Sequence, residues 1–332
     1  MKGVLLVNLG TPDSTSVPDV RKYLREFLMD KRVIDISFLG RWLLVNLIIA
    51  PFRAPKSAAE YRKLFDEKGS PLKYHGFAVR DLLREKLGAE YKVELGMRYQ
   101  SPSIKSALAE LKHCESIKVI PLFPQYASAS TGSVHDKVME IVKDWQIIPD
   151  MSFVSKFFEE DLYLDTIWKR AQKLQEEEEY EHFVFSYHGL PERQITKGSV
   201  GKQCQLGGCC NSYHEKNQYC YRAQCFHNSR LLAEKMGLSK DQYTVCFQSR
   251  LGKTPWIQPY TDNVLVDLAE RGVKKVLAFS PAFVADCLET TVEVGETFAE
   301  DFIKHGGEKW TLVPSLNDEE SWVECLEKLV IE

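Results

Sequence analysis

Runs of apolar residues that stop at glycine or proline recur along the chain, and they set its predicted elements. Val4 to Leu9 is a nearly continuous apolar strand, left by the turn Gly10, Thr11, Pro12. Val20, Tyr23, Leu24, Phe27 and Leu28 then recur at helical spacing. YKVELGMRY (91–99) and IKVIPLFPQY (117–126) read as further strands, with a helix near 103–112 between them. An amphipathic helix from Asp161 ends in the acidic run Glu176 to Glu179, which marks a boundary between halves. FVFSYH (183–188) is a buried strand closing on one imidazole, His188, with Gly189 and Pro191 directly after it.

The second half repeats the first. VLLVNLGTP (4–12) matches FVFSYHGLP (183–191), with Gly10 opposite Gly189; 91–99 matches YTVCFQSRL (243–251); VIPLFPQY (119–126) matches VLAFSPAF (276–283). The shared order predicts an α/β protein of two similar Rossmann-like units with parallel sheets, 1–160 and 161–332, facing one another across a cleft. Ligands bind at the carboxyl edge of such sheets. There Leu9 falls opposite His188, so one wall would be apolar and the other would carry a base.

Two stretches depart from this frame. Residues 42–52, WLLVNLIIAPF, are almost wholly apolar yet end at Pro51 and are too short to span a bilayer. With Phe38, Leu39, Arg41 and Arg53 they read either as a buried helix or as an apolar lip, about 38–53, that grips a flat ligand or rests on a membrane surface. Further on, Asp286, Glu289, Glu293, Glu296 and Glu300 are spaced three and four apart, which predicts one acidic helix face over about 285–300. Such a stripe is either a solvated face or a path for a divalent cation or for protons.

Composition narrows the partners. A chain of 332 residues, 44% hydrophobic, can bury two cores. Its net charge of −4 offers no cationic field for nucleic acid. The first residues enter a strand without a cleavable signal pattern, which predicts a cytoplasmic protein. Five of nine cysteines crowd into 204–225, a pattern that suits metal binding better than disulfides in such a compartment. Cys204 and Cys209 form one pair, Cys220 and Cys225 another, with Cys210 beside the first. Two such pairs can hold four thiolates around a small cluster or a structural zinc ion.

The chain resembles the ferrochelatases, which insert ferrous iron into a porphyrin in haem synthesis. The resemblance is carried by NLGTP (8–12), EYRKLFDEKGSPL (60–72), GMRYQSPSI (96–104), PLFPQYASASTGS (121–133), SYHGLPER (186–193), FQSRLGKTPWIQPYTD (247–262) and PAFVADCLETTVE (281–293), in the family's order. It implies two Rossmann-like, chelatase-type domains with a porphyrin cleft. It makes His188 the active-site histidine and Glu289 the carboxylate facing it, with Glu293 continuing the acidic face toward the metal. Leu9, Tyr61, Arg98, Tyr99, Ser128, Ser130 and Trp256 fall in segments that would bind porphyrin, and the lip would be the mouth, open toward a membrane. Cys287 stands where animal members carry a second histidine. Some members hold a 2Fe-2S cluster on an internal cysteine segment. The resemblance therefore implies such a cluster here, within an insertion at about 197–225, on four of Cys204, Cys209, Cys210, Cys220 and Cys225, the choice between Cys209 and Cys210 being open. Structural zinc is the alternative.

The chemistry suits these residue types. Metallation strips water from ferrous iron and removes two pyrrole protons; imidazole and carboxylates accept protons. A carrier of haem, or an iron sensor, would need the apolar cleft but no base facing an acid, so the pair His188 and Glu289 favours an enzyme. The lip favours the apolar protoporphyrin IX over coproporphyrin III as substrate.

Overall fold

The apolar runs become strands because their residues are buried on both sheet faces, which only a sheet covered by helices on both sides allows. The computed structural model describes residues 1–252 and 254–332. The chain divides into two units, one of 1–123, 127–155 and 323–332, the other of 124–126 and 156–322.

In the first unit β1 (Lys2–Gly10), β2 (Tyr91–Tyr99), β3 (Ser116–Pro121) and β4 (Asp150–Phe153) form one sheet in the order β2-β1-β3-β4. Every pairing is parallel. Its helices are α1 (Val17–Leu28), α2 (Phe38–Leu43), α3 (Ala50–Leu64), α4 (Pro71–Leu87), α5 (Ile104–Leu111) and α6 (Thr131–Val142). α1 starts where Ser16 accepts a hydrogen bond from the Asp19 amide at 3.2 Å, a serine cap worth about 1 kcal/mol. A core of Leu5, Val7, Leu108, Val119, Val134 and their neighbours lies between sheet and helices, each large side chain contributing about 1.5–3 kcal/mol.

The second unit repeats the plan. β5 (His182–His188), β6 (Tyr243–Gln248), β7 (Lys275–Phe279) and β8 (Lys309–Leu312) pair in parallel in the order β6-β5-β7-β8. The helices are α7 (Asp161–Glu177), α8 (Glu192–Lys197), α9 (Tyr221–Lys235), α10 (Thr261–Glu270) and α11 (Phe298–Lys304). The three aligned segments are thus the first, second and third strands of each sheet. Both aligned glycines are forced by a close approach. A Cβ on Gly10 would lie 2.0 Å from the Tyr99 carbonyl oxygen, and one on Gly189 2.8 Å from that of Gln248.

Four expectations change. The division does not fall after residue 160: it lies at Lys156, and the final ten residues, most of α12 (Glu320–Ile331), belong to the first unit. There Lys118 donates to the Leu329 carbonyl at 3.1 Å and Lys86 meets Glu324 at 3.3 Å. β3 stops at Pro121 rather than at residue 126. α9 begins at Tyr221, inside the stretch of about 197–225 read as an insertion, so Cys225 lies in a helix. The acidic segment is not an α-helix from 285: a π-helix, Leu288–Thr297, precedes α11. Asp286 lies before it and takes hydrogen bonds from the Ser315 amide at 3.1 Å and the Asn317 side chain at 2.8 Å. Glu296 and Glu300 are exposed.

At the start of β5, His182 is buried with Nε2 2.9 Å from Thr244 Oγ1. Burial, aided by the Arg271 charge, pushes its pKa from 6.5 down to about 4. The unfolded chain therefore takes up this proton first. The stabilisation is complete above about 6.5 and is lost as the pH falls toward about 4. Urea unfolding at pH 7 and pH 5 is expected to show that loss, and His182→Gln to flatten it.

Candidate active site

The carboxyl ends of β5, β6 and β7 gather the chemistry of the second unit. β5 ends at His188 and β6 at Gln248, a register pair. The His188 ring lies 6.3 Å from Trp256 and 6.4 Å from Phe283, centroid to centroid. Its Nδ1 is 2.6 Å from the Gly189 carbonyl oxygen. A carbonyl only accepts, so Nδ1 carries the hydrogen and, in the neutral ring, Nε2 keeps the lone pair. Trp256 is half-buried, and its indole N–H has no partner among the described residues.

Glu293 is held from β6 and the turn after it. The Ser249 amide donates to Oε1 at 2.9 Å, the Ser249 hydroxyl to Oε2 at 2.5 Å and the Gln248 side chain to Oε2 at 3.1 Å. Gln248 also donates to the Glu289 carbonyl at 2.7 Å, so one side chain links β6 to both glutamates. Burial pushes the Glu293 carboxyl above its ordinary range, more than the Ser249 bond and His188 pull it down; Glu289 adds to the rise. Ser249 adopts a φ of 64°, a left-handed conformation uncommon for serine, which aims both its donors at one carboxylate. Cys287 is buried, and burial, reinforced by Glu289, pushes its thiol well up.

The residues expected to meet porphyrin occupy different settings. Leu9 is half-buried at the end of β1. Tyr61 is buried on α3, edge-on to Tyr23 and Phe65 at 6.2 and 6.1 Å. Arg98 donates to Asp30 at 2.6 Å and to the Ser133 hydroxyl at 2.7 Å, and the fully buried Tyr99 donates to Asp30 at 2.9 Å. Burial opposes the charge on Asp30, but the bonds from Ser133 and the Arg32 amide, with the Arg98 charge, outweigh it and hold the carboxyl below its ordinary range. Ser130 caps α6 in the sequence sense, directly before Thr131, and Ser128 is exposed and accepts a bond from Arg32 at 3.0 Å. The lip buries Arg41, Val45 and Ala50 but exposes its larger apolar side chains: Phe38 at 66%, Leu39 at 67% and Phe52 at 79%. A π-helical turn, Leu44–Ile49, joins α2 to α3 there. Among the described residues no helix is long and apolar enough to cross a membrane.

The five cysteines separate. Cys204, Cys209, Cys210 and Cys220 line one cavity of about 460 Å³. The four thiols lie within electrostatic reach of one another, Cys204 of Cys209 and Cys210, and Cys220 of Cys204 and Cys210. Among the described residues no three His, Cys, Asp or Glu side chains are arranged to hold one metal ion. Cys225 is sealed in the core, within α9. The loop is pinned to the body by Tyr213, stacked on His227 at 4.6 Å and bonded by Lys156 at 2.5 Å.

Asp30, Arg32, Ser133, Gln248 and Ser249 were not foreseen. The last two carry a signal of the kind that singled out His188, polar residues closing the apolar run YTVCF. The residues around Asp30 carry none, because their partners are about 70 to 100 positions away.

The model of the ferrochelatase family matches residues 1–332. A ferrochelatase of Legionella pneumophila (strain Lens) is 46% identical over 331 residues, covering 100% of this chain and 99% of its own. One of Coxiella burnetii (strain Dugway 5J108-111) is 44% identical over 334 residues, covering 98% and 92%. Among solved structures, SirB from Bacillus subtilis with Fe3+ shares the fold with a TM-score of 0.54 and 11% identity, over 100% of this chain and 94% of its own. With a full-length family match and relatives of one name aligned over nearly the whole chain, this chain belongs to the ferrochelatase family, enzymes that insert iron into porphyrin in haem synthesis.

Proposed function

We propose that the substrate is protoporphyrin IX, that His188 Nε2 takes a pyrrole proton from it, and that Glu289 and Glu293 carry ferrous iron and the second proton. The observation that carries this reading is the 2.6 Å contact between Nδ1 and the Gly189 carbonyl, which leaves Nε2 as the ring's acceptor. Glu293, whose proton affinity burial raises, lies within electrostatic reach of His188 and Glu289 and so is suited to receive a proton from the site. Leu9, Tyr61 and Trp256 supply apolar contact to the macrocycle, while Ser128, Ser130 and Arg32 supply donors to its carboxylates. Arg98 and Tyr99, spent on Asp30 and Ser133, hold the start of α6 in place for them.

The exposed apolar side chains of α2 and α3 favour a substrate delivered from a membrane surface, with the protein on its cytoplasmic side. Four thiols lining one cavity suit a 2Fe-2S cluster, which takes a pair of ligands on each iron; structural zinc, which needs four converging on one point, is the alternative. Cys204, Cys209, Cys210 and Cys220 would hold it, and Cys225 would not. When bound, such a cluster supplies a one-electron centre and a cross-link for the loop.

The substrate assignment is tested by the loss of porphyrin fluorescence on adding ferrous ion under anaerobic conditions. Protoporphyrin IX is expected to exceed coproporphyrin III in kcat/KM by about tenfold or more, the scale on which a hydrophobic pocket discriminates. Equal or reversed values would assign the enzyme to the more polar porphyrin.

A further inference from the structure

β5 outruns its neighbour on one side. Its pairing with β7 ends at Phe185 opposite Phe279, whereas its pairing with β6 continues to His188 opposite Gln248. A trans peptide points its C=O and N–H in opposite directions. In the peptide joining His188 to Gly189, the N–H donates to the Gln248 carbonyl on β6 at 2.8 Å. The His188 carbonyl therefore points to the side that β7 has vacated. There the hydroxyl of Tyr221, the first residue of α9, donates to it at 2.9 Å. Tyr221 is itself buried, with the buried Cys225 one turn along α9.

We propose that Tyr221 is a positioning residue for the reaction: its hydroxyl replaces the missing strand partner and fixes the peptide that carries His188. With that peptide clamped from both sides, the next carbonyl, of Gly189, is held where it meets Nδ1. Because Tyr221 directly follows Cys220, which precedes α9 at its N-cap, the cysteine loop has a one-residue route to the histidine. The inference rests on the reading of His188 as the base.

Tyr221→Phe removes only the hydroxyl. It is expected to lower kcat about tenfold, less than the hundredfold that a misplacement of about 1 Å can cost. The porphyrin KM and the visible absorbance of the cysteine loop stay as in the parent. A merely structural role would not split kcat from KM in this way. Thr166→Val, which removes another buried hydroxyl, one bonded to Leu162 and Ser321 away from His188, keeps the parent kcat and reports the effect of stability alone. A kcat for Tyr221→Phe within twofold of the parent, or a matching fall in Thr166→Val, overturns the proposal. If Tyr221→Phe is fully active while His188→Ala is not, only the role of Tyr221 fails; if both are active, the base assignment fails with it.

Discussion

His188→Ala is expected to lower kcat by about a hundredfold to ten-thousandfold, the range that general-base catalysis supplies, while porphyrin binding persists. The ring is held by its own backbone through Gly189, packed near Trp256 and Phe283, and set beside a carboxyl whose proton affinity burial has raised. Alanine removes the acceptor without disturbing β5, whose core residues Val184, Phe185 and Tyr187 remain. Porphyrin affinity is read by fluorescence quenching and turnover by haem formation. Turnover within about tenfold of the parent, with binding intact, would show that the proton leaves by another route.

The parts of this site that were legible in the sequence are those where one chain segment decides the outcome. His188 and Gly189 stand out because an apolar strand ends in a polar tip and a residue without a side chain. The two sheets were legible for the same reason, since doubly covered strands read as continuous apolar runs. The first turn of α9 hides within the expected insertion because its buried face carries Arg222, Gln224, Asn228 and Ser229 as well as apolar residues, which erases the periodicity that marks a helix. Their polar groups are satisfied by distant partners, such as the Phe158 carbonyl for Asn228 at 2.8 Å. The acidic segment was misjudged differently. Spacings of three and four fit an α-helix, and nothing in the residues themselves announces the wider π turn or the engagement of Asp286 with Asn317.

Cys220→Ser is expected to abolish the visible absorbance of anaerobically purified protein, and Cys225→Ser to leave it unchanged. The contrast follows from placement: Cys220 lines the cavity with Cys204, Cys209 and Cys210, whereas Cys225 is fully buried beneath Tyr221. A loop of this composition gains order from its metal, but Tyr213, His227 and Lys156 also tie it down without one. Cys220→Ser should therefore stay soluble and keep about a tenth or more of its chelatase activity, a loss of the size assigned to a displaced His188. Labile sulfide and iron are measured alongside. One zinc and no sulfide would replace the cluster by a structural zinc site; activity as low as that of His188→Ala in a folded protein would make the loop part of the catalytic machinery.

The return of α12 to the first unit sets an order of events during synthesis. Val323, Cys325, Leu326, Leu329 and Val330 are all buried, and they belong to the unit whose strands are made first. At the usual pace of a ribosome, about 5–20 residues per second, residues 156–322 take roughly 8–33 s to appear. For that interval the earlier unit has its four strands but lacks the apolar side chains that finish its core. The half built first is thus completed only after the other, and its unfinished surface stays open to chaperones, or to sticking, until α12 leaves the exit tunnel.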